Sequence, residues 1–479
     1  MTAADPRAQR STLIASSLAV VVVMFNVAAV NPALPSLQQA FQTTPTDLQW
    51  TVNVYNITYA ALLLVGGLLG ARLGFRRVLL GGLAVGVLGA LLTALAPSYG
   101  LVLLGRGVAG LGSALVQPAT LVLLTLAFSE PAARARAIGV WAGVSGVGIA
   151  VGPVLGGVLV DAFGWTSVFW TLVLAGAGTG WVALWGTRET PVLAVRRLDL
   201  PGLVLVVLTL GSLIYGLTQG NGLGWGSPVV LACLLGAGVT FALFLWVEGR
   251  AQAPLVDLGL FRNPTFTAAN LGGLLIFFGP FSLLVFFTLL LQGALHFSAT
   301  RAGLITAFFP LGSALGSALG GRLTARRGAR LTATLGLSLI GLATLLLVRV
   351  SLGMTGWDLW WNFALMGLGV GLSLGALTTA AMASAPRDQL SQASSLLNAL
   401  RQVGVALGIA LLGAVIARHP GQGEAAFLGG LHDALWLAGG VLVLSAPAVW
   451  WAMGWRGVDR RSTGITLTAP VKDTAPRKG

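Results

Sequence analysis

Charge, cysteine and histidine are all scarce in this chain. Of its 479 residues 9% are charged, one is cysteine and three are histidine. A soluble globule carries charge on about a quarter of its residues, so that class is excluded. The single Cys233 lies in an apolar run, which rules out a disulfide framework and a cysteine-based metal site. The histidines, His296, His419 and His432, fall in predicted loops. There is no HExxH helix, no Gly-x-Ser-x-Gly elbow and no membrane-buried His/carboxylate pair, so nothing points to an enzyme, a metal or a cofactor.

Apolar sequence is abundant instead, at 56% of residues. It comes in runs of about 20, the length that a bilayer core requires. Fourteen candidate spans lie near 12–34, 49–70, 78–96, 101–126, 137–160, 165–185, 200–219, 227–247, 266–292, 301–320, 331–350, 358–382, 392–417 and 431–453. The chain therefore reads as an all-α membrane protein whose first partner is the lipid bilayer. Arg7 and Arg10 precede the first run, as in a signal peptide. That run is too long and lacks a small-residue cleavage pattern, so it reads as an uncleaved first helix.

A net charge of +14 would suggest nucleic acid in a soluble domain. Here the basic residues gather in short loops on one side. Arg72, Arg76 and Arg77 follow span 2, and Arg134 and Arg136 follow span 4. Arg188, Arg196 and Arg197 follow span 6, and Arg250 and Arg262 follow span 8. Arg322, Arg326, Arg327 and Arg330 follow span 10, and Arg387 follows span 12. The odd-numbered connections hold only Arg301, Arg349 and Arg418. The positive-inside rule then places both termini in the cytoplasm, requires an even span count and leaves no role for nucleic acid. The tail 456–479 is polar and basic and is expected to be disordered.

One segment occurs twice. Residues 67–76 align with 321–330: Gly67 with Gly321, Leu69 with Leu323, Ala71 with Ala325, Arg72 with Arg326, Gly74 with Gly328 and Arg76 with Arg330. Each copy follows an even-numbered span, so the repeat is parallel. A six-span unit makes spans 1–6 match spans 9–14, with spans 7 and 8 inserted between them. This gives a domain division of 1–190, 191–262, 263–455 and the tail 456–479.

Span 5 carries Gly148, Gly152 and Gly156 at four-residue steps, with Pro153 expected to kink the helix. Gly312, Gly316 and Gly320 repeat the pattern on span 10. The expectation is that the Gly148/Gly152/Gly156 face lies against the Gly312/Gly316 face, or faces its equivalent in the other half.

The stretch Gly148, Gly152, Pro153, Gly156 and Gly157 resembles the antiporter motif of the major facilitator superfamily. Gly67, Leu69, Arg72, Gly74, Arg76 and Arg77 resemble its loop motif between helices 2 and 3, although Ala71 and Ala325 stand where that motif has aspartate. Arg106, Gly110, Gly112 and Ala114 resemble its helix 4 motif. Asn398, Arg401, Gln402, Gly404 and Gly408 resemble a late helix of the fourteen-helix drug:proton antiporter branch. The resemblance implies the major facilitator fold, two six-helix bundles with two extra helices between them. It also implies a monomeric exporter of drug-like compounds in the plasma membrane, with protons as coupling partner. One departure bears on the protons. The branch usually has an aspartate on helix 1 five residues before Asn31, and Asn26 stands there.

Polar groups in lipid are expensive and should face the bundle interior. The candidates for a small-molecule cavity are Asn26, Asn31, Asn53, Asn56, Tyr59, Arg106, Gln117, Asn270, Asn398, Arg401 and Gln402. For each asparagine, a helix-to-helix hydrogen bond competes with cavity lining. The row Phe277, Phe278, Phe281 and Phe286 reads as packing. Every acidic residue falls in a loop, a tail or a helix end, so Arg106 and Arg401 need carbonyls, amides or an anion. The leading function is efflux of small amphiphilic compounds by alternating access. A uniporter or exchanger of the same fold, and a non-transporting membrane receptor or scaffold, are the alternatives.

Overall fold

The computed structural model describes residues 6–128, 130–190, 199–251, 254, 256–386, 389–419, 421 and 423–454. The tail 456–479, Arg196, Arg197 and Arg387 lie outside them. Among the described residues every regular element is helical. We number the long helices α1 (Pro6–Ala29), α2 (Pro45–Leu73), α3 (Phe75–Ala94), α4 (Tyr99–Ala127), α5 (Pro131–Phe163), α6 (Thr166–Gly186), α7 (Leu200–Leu223) and α8 (Pro228–Glu248). The second series is α9 (Pro264–Ala294), α10 (Ala299–Arg327), α11 (Ala329–Leu346), α12 (Trp360–Ser384), α13 (Leu390–Arg418) and α14 (Gly423–Ala452). Thirteen of the helices among the described residues are long and apolar enough to cross a membrane, or fourteen if α2, bent by 50° between Asp47–Leu63 and Val65–Leu73, is one span.

The wet ends of these helices are marked by polar caps. Thr44 and Asp47 close a capping box on α2, Asp199 accepts from the Gly202 amide at the start of α7, and Asn263 accepts from the Thr265 amide at the start of α9. Several carboxylates are thus used on chain ends rather than in the membrane. The repeated segments make equivalent turns. Gly74 joins α2 to α3 with φ +95°, and Gly328 joins α10 to α11 with φ +86°, a region that favours glycine.

Helix pairing repeats with a shift of eight. The pairs α1·α4, α1·α5, α2·α4, α3·α4 and α3·α6 recur as α9·α12, α9·α13, α10·α12, α11·α12 and α11·α14. The shift is even, so paired helices run the same way and the two sets are related by an axis along the membrane normal. Two seams join the sets, α2·α13 and α5·α10, and the same shift exchanges them. Helix α7 packs on α2 and α13, and α8 packs on α7 with Leu235, Val239 and Phe241 left exposed, a face suited to lipid.

Three expectations need correction. The Gly148/Gly152/Gly156 face lies against α1, touching Val21, Met24, Ala28 and Ala29, while Gly312, Gly316 and Gly320 lie against Ala364, Leu368 and Leu372 of α12. The small faces serve packing within each set. Helix α5 carries Pro153 in its interior, and α2 is bent by 50°. Asn31 begins a short 3-10 turn, Asn31–Ala33, after α1 has ended. His432 lies inside α14, because that helix extends past its apolar stretch by more than a turn.

Within each set helix association depends on contact rather than on the hydrophobic effect, since lipid is as apolar as leucine. A Cβ at Gly316 would collide with the Leu368 carbonyl, whereas one at Gly81 meets nothing within 4 Å. Gly316→Leu should therefore lower the melting temperature of the purified protein by several degrees, for an overpacking cost of at least about 1–3 kcal/mol. Gly81→Leu should melt with the native protein, and a thermal denaturation scan of both compares them.

Candidate functional site

Asn26, Arg106 and Tyr59 come together in the first set of helices. Arg106, on α4, is 1% exposed. Its Nε donates to the Thr51 carbonyl at 3.0 Å and its Nη1 to Asn26 Oδ1 at 2.5 Å. The guanidinium carbon stands 4.4 Å from the centre of the Tyr55 ring. The Tyr55 hydroxyl in turn donates to Ser113 Oγ at 2.8 Å, and the Tyr55 and Tyr59 rings lie 5.8 Å apart. One buried cation thus ties α1, α2 and α4 through a neutral amide, a carbonyl and a ring. Ser113 and the Thr51 carbonyl carried no signal in the sequence.

Arg401 and Asn398 form a second cluster with Thr378 and Phe277. Arg401 Nη2 donates to Thr378 Oγ1 at 2.7 Å and Nη1 to Asn398 Oδ1 at 3.3 Å, with the Phe277 ring centre 5.9 Å away. Phe277 belongs to a π-helical turn, Phe277–Phe281, and stacks on Phe281 at 4.2 Å. Such turns are frequent at functional sites. Asn270, on α9, is 1% exposed and donates to the Phe266 carbonyl one turn back. Thr378 is the member that sequence reasoning missed.

The remaining candidates are dispersed. Asn53 and Asn56 are buried, and neither side-chain atom of Asn53 has a partner. Both follow Gln49 at helical spacing, and Gln49 abuts Gly413 of α13, so this face of α2 is turned to the seam. Gln117 is half-buried with Oε1 unpartnered, Gln402 is half-buried beside Arg401, and Asn31 sits at the far end of α1. No hydrogen bond joins the two arginine clusters among the described residues.

The basic turns are anchored in matching ways. Arg76 Nη2 donates to the Leu184 carbonyl near the end of α6, and Arg330 Nε donates to the Trp450 carbonyl near the end of α14, each at 2.7 Å. These are the orphan carbonyls of a helix C-terminus, which favour a cation. Arg72 and Arg326 flank them on the last turns of α2 and α10. A carboxylate also reaches the first turn from elsewhere: Glu189, beyond α6, stands against Gly74 and pairs with Arg77 at 3.4 Å. It supplies a negative charge near the turn where Ala71 does not.

The opposite ends carry a contact between the two sets. The Asp161 carboxylate at the end of α5 accepts from the Ala299 amide at 3.0 Å and the Thr300 amide at 2.8 Å, capping α10. Beside it the backbones approach closely. A Cβ on Gly157 would strike the Ala299 carbonyl, and one on Gly303 would strike the Pro153 carbonyl. The halves are therefore joined at the face away from the basic turns.

The family model described as the Major Facilitator Superfamily matches residues 16–266 and 269–474. The multidrug resistance protein Stp of Mycobacterium tuberculosis (strain CDC 1551 / Oshkosh) is 34% identical over 416 residues, covering 86% of this chain and 76% of that protein. The methylenomycin A resistance protein of Bacillus subtilis (strain 168) is 33% identical over 444 residues, covering 92% and 93%. Among solved structures, a bacterial homolog of the human lysosomal transporter Spinster superposes with a TM-score of 0.65 at 19% identity, covering 94% of this chain and 97% of that one.

Removing the Asn26 acceptor tests the first cluster. Asn26→Leu should destabilise the protein by about 2 kcal/mol, the scale of a hydrogen bond to a buried charge, and Asn26→Asp should be tolerated. Melting temperatures of the two variants measure the difference.

Proposed function

The chain belongs to the major facilitator superfamily, and we propose that it exports small amphiphilic, drug-like compounds by alternating access. It is a multi-pass membrane transporter and not an enzyme. One observation carries the mechanism: the two sets of helices meet at two seams that a shift of eight exchanges, α2·α13 and α5·α10. Symmetric seams let one set rock on the other about a fixed centre, which is how parallel repeats give alternating access. Relatives named for drug and antibiotic resistance support the substrate class.

On this reading residues 1–190 and 263–455 are the moving halves. Residues 191–262 carry α7 and α8 between them, and 456–479 form a tail. The basic turns at Gly74 and Gly328 face the cytoplasm, both termini lie there, and the protein works as a monomer in the plasma membrane. The path runs between the halves, past Asn53 and Asn56 on one side and the Arg401 cluster on the other. Gly67, Gly74, Gly321 and Gly328 belong to the basic turns. Gly148, Gly152, Pro153 and Gly156 hold α5 against α1 while α5 itself forms one seam.

Proton antiport is what the family resemblance favours. The position of Asn26 favours a second reading, a uniporter or exchanger without proton coupling. An amide holds Arg106 where the branch has a carboxylate, and an amide does not titrate. The two readings part in everted vesicles. A pH gradient alone should drive uptake of an exported compound in the first and leave it unmoved in the second.

Export itself is tested in a host stripped of its own pumps. Expression of the native chain should raise the inhibitory concentration of at least one amphiphilic antibiotic. Gly157→Leu, which wedges a side chain into the α5·α10 seam, should insert normally and abolish that protection. Protection by neither protein across a broad panel would sink the proposal.

A further inference from the structure

The two membrane arginines differ in how fully the protein satisfies them. Arg106 is enclosed by three helices, with a carbonyl, an amide oxygen and an aromatic face around it. It reads as a structural tie. Arg401 is held by one hydroxyl at 2.7 Å and one long amide contact at 3.3 Å, and its buried Nε has no partner. A guanidinium offers five N–H donors, so most of this one's capacity is unspent. No carboxylate pairs with it among the described residues. An unpaired cation at this depth is costly, and such groups inside a membrane mark substrate pathways.

Its surroundings have the character of a binding site. Gly273 packs against this side chain: a Cβ there would stand 3.7 Å from Nε, in van der Waals contact, and glycine leaves that small volume unfilled. Asn270, one helical turn before Gly273, has an Oδ1 that is buried and unpartnered. Phe277, one turn after it, stacks on Phe281, and Phe281 meets Phe309 edge to face at 5.3 Å. A polar corner with a cation thus lies beside an aromatic pair. The helix that carries it, α13, is also a seam helix: Ala399, two residues before Arg401, clusters with Tyr55 and Tyr59 of the other set.

The geometry points to an anion subsite, in which Arg401, oriented by the Thr378 hydroxyl and the Asn398 amide oxygen, takes with its spare N–H donors the acid group of an amphiphile whose aromatic or aliphatic body lies along Phe277 and Phe281. The subsite rests on the export reading above and narrows it: the substrates are organic acids, carboxylates, sulfonates or acidic phenols, rather than permanent cations. The free acid and an anionic lipid headgroup share this chemistry, and the substrate is taken to be the former because the corner lies within the span rather than at its end.

Two naphthylamine probes that differ by one acid group test it. The pair is N-phenyl-1-naphthylamine, which is neutral, and 8-anilinonaphthalene-1-sulfonate, which is anionic. Binding is measured by fluorescence on the full chain in phosphatidylcholine nanodiscs, with empty nanodiscs subtracted. Arg401→Ala should weaken the anionic probe by about 10- to 100-fold, the scale of lost charge-assisted hydrogen bonds. It should leave the neutral probe unchanged, which also shows that the variant is folded. Arg401→Lys should recover part of the loss and Arg401→Gln little of it. Equal weakening of both probes would make Arg401 structural, and no weakening of either would remove it from the site; both overturn the subsite. Repeating the measurement with phosphatidylglycerol present should not change it. Loss of anionic-probe binding there, in the native protein alone, would assign the corner to lipid and overturn the substrate claim. Transport in everted vesicles separates the two levels. If the neutral probe or ethidium is moved and the anionic one is not, the anion subsite falls while export stands. If none is moved, the claim about substrates falls, and export is decided by the antibiotic panel.

Discussion

Backbone-to-backbone contact at small residues is the constraint on which the rest of this protein rests. In a bilayer each helix satisfies its own hydrogen bonds, and burying leucine gains nothing over leaving it in lipid. What remains is dispersion, which requires close approach. Gly82 meets Gly112 across α3·α4, and Gly336 meets Gly369 across α11·α12. These are equivalent positions in the two sets, so the same device builds both. The glycines of α5 and α10 serve it too, one against α1 and the other against α12. Tight packing inside each set leaves the thinner seams between sets as the place where movement is cheapest.

Charge is distributed by the same economy. The described carboxylates cap helices, as Asp47, Asp199 and Asp161 do, or pair near the membrane faces, as Glu189 does with Arg77. His296 pairs with Glu424 and His419 with Asp433, both at 3.1 Å. The interior keeps cations and amides. Arg106 is accommodated by neutral acceptors, and this is possible because α1, α2 and α4 converge on it. Arg401 has fewer such neighbours, and the contrast between them is set by helix packing rather than by residue type.

Much of this was legible in the chain. Apolar length gave the helices, loop arginines gave an even count, and the repeat 67–76 with 321–330 gave the relation between the sets. The repeat succeeded because a turn at positive φ needs glycine at one place and a cation two residues on, where helix-end carbonyls await it. Reading failed where a residue's partner lay far away in sequence. Glycine spacing marked a packing face but not which helix would cover it: α5 does meet α10, at Gly157 and Gly303, but its Gly148/Gly152/Gly156 face lies against α1. The Thr51 carbonyl at Arg106 and the Thr378 hydroxyl at Arg401 had no signal, since every residue has a carbonyl and most hydroxyls in membrane helices bond their own backbone.

The sequence alone determined that this is a helical membrane protein of paired sets, because hydropathy, charge bias and internal repetition are properties of the string. Only the tertiary structure decided which neighbour each polar group has. Asn53 turned toward the seam, Asp161 across it onto α10, and Arg401 left with spare donors all depend on helix rotation and crossing. A helix has one face for every direction, and its own residues do not say which direction will be filled by protein, by lipid or by substrate.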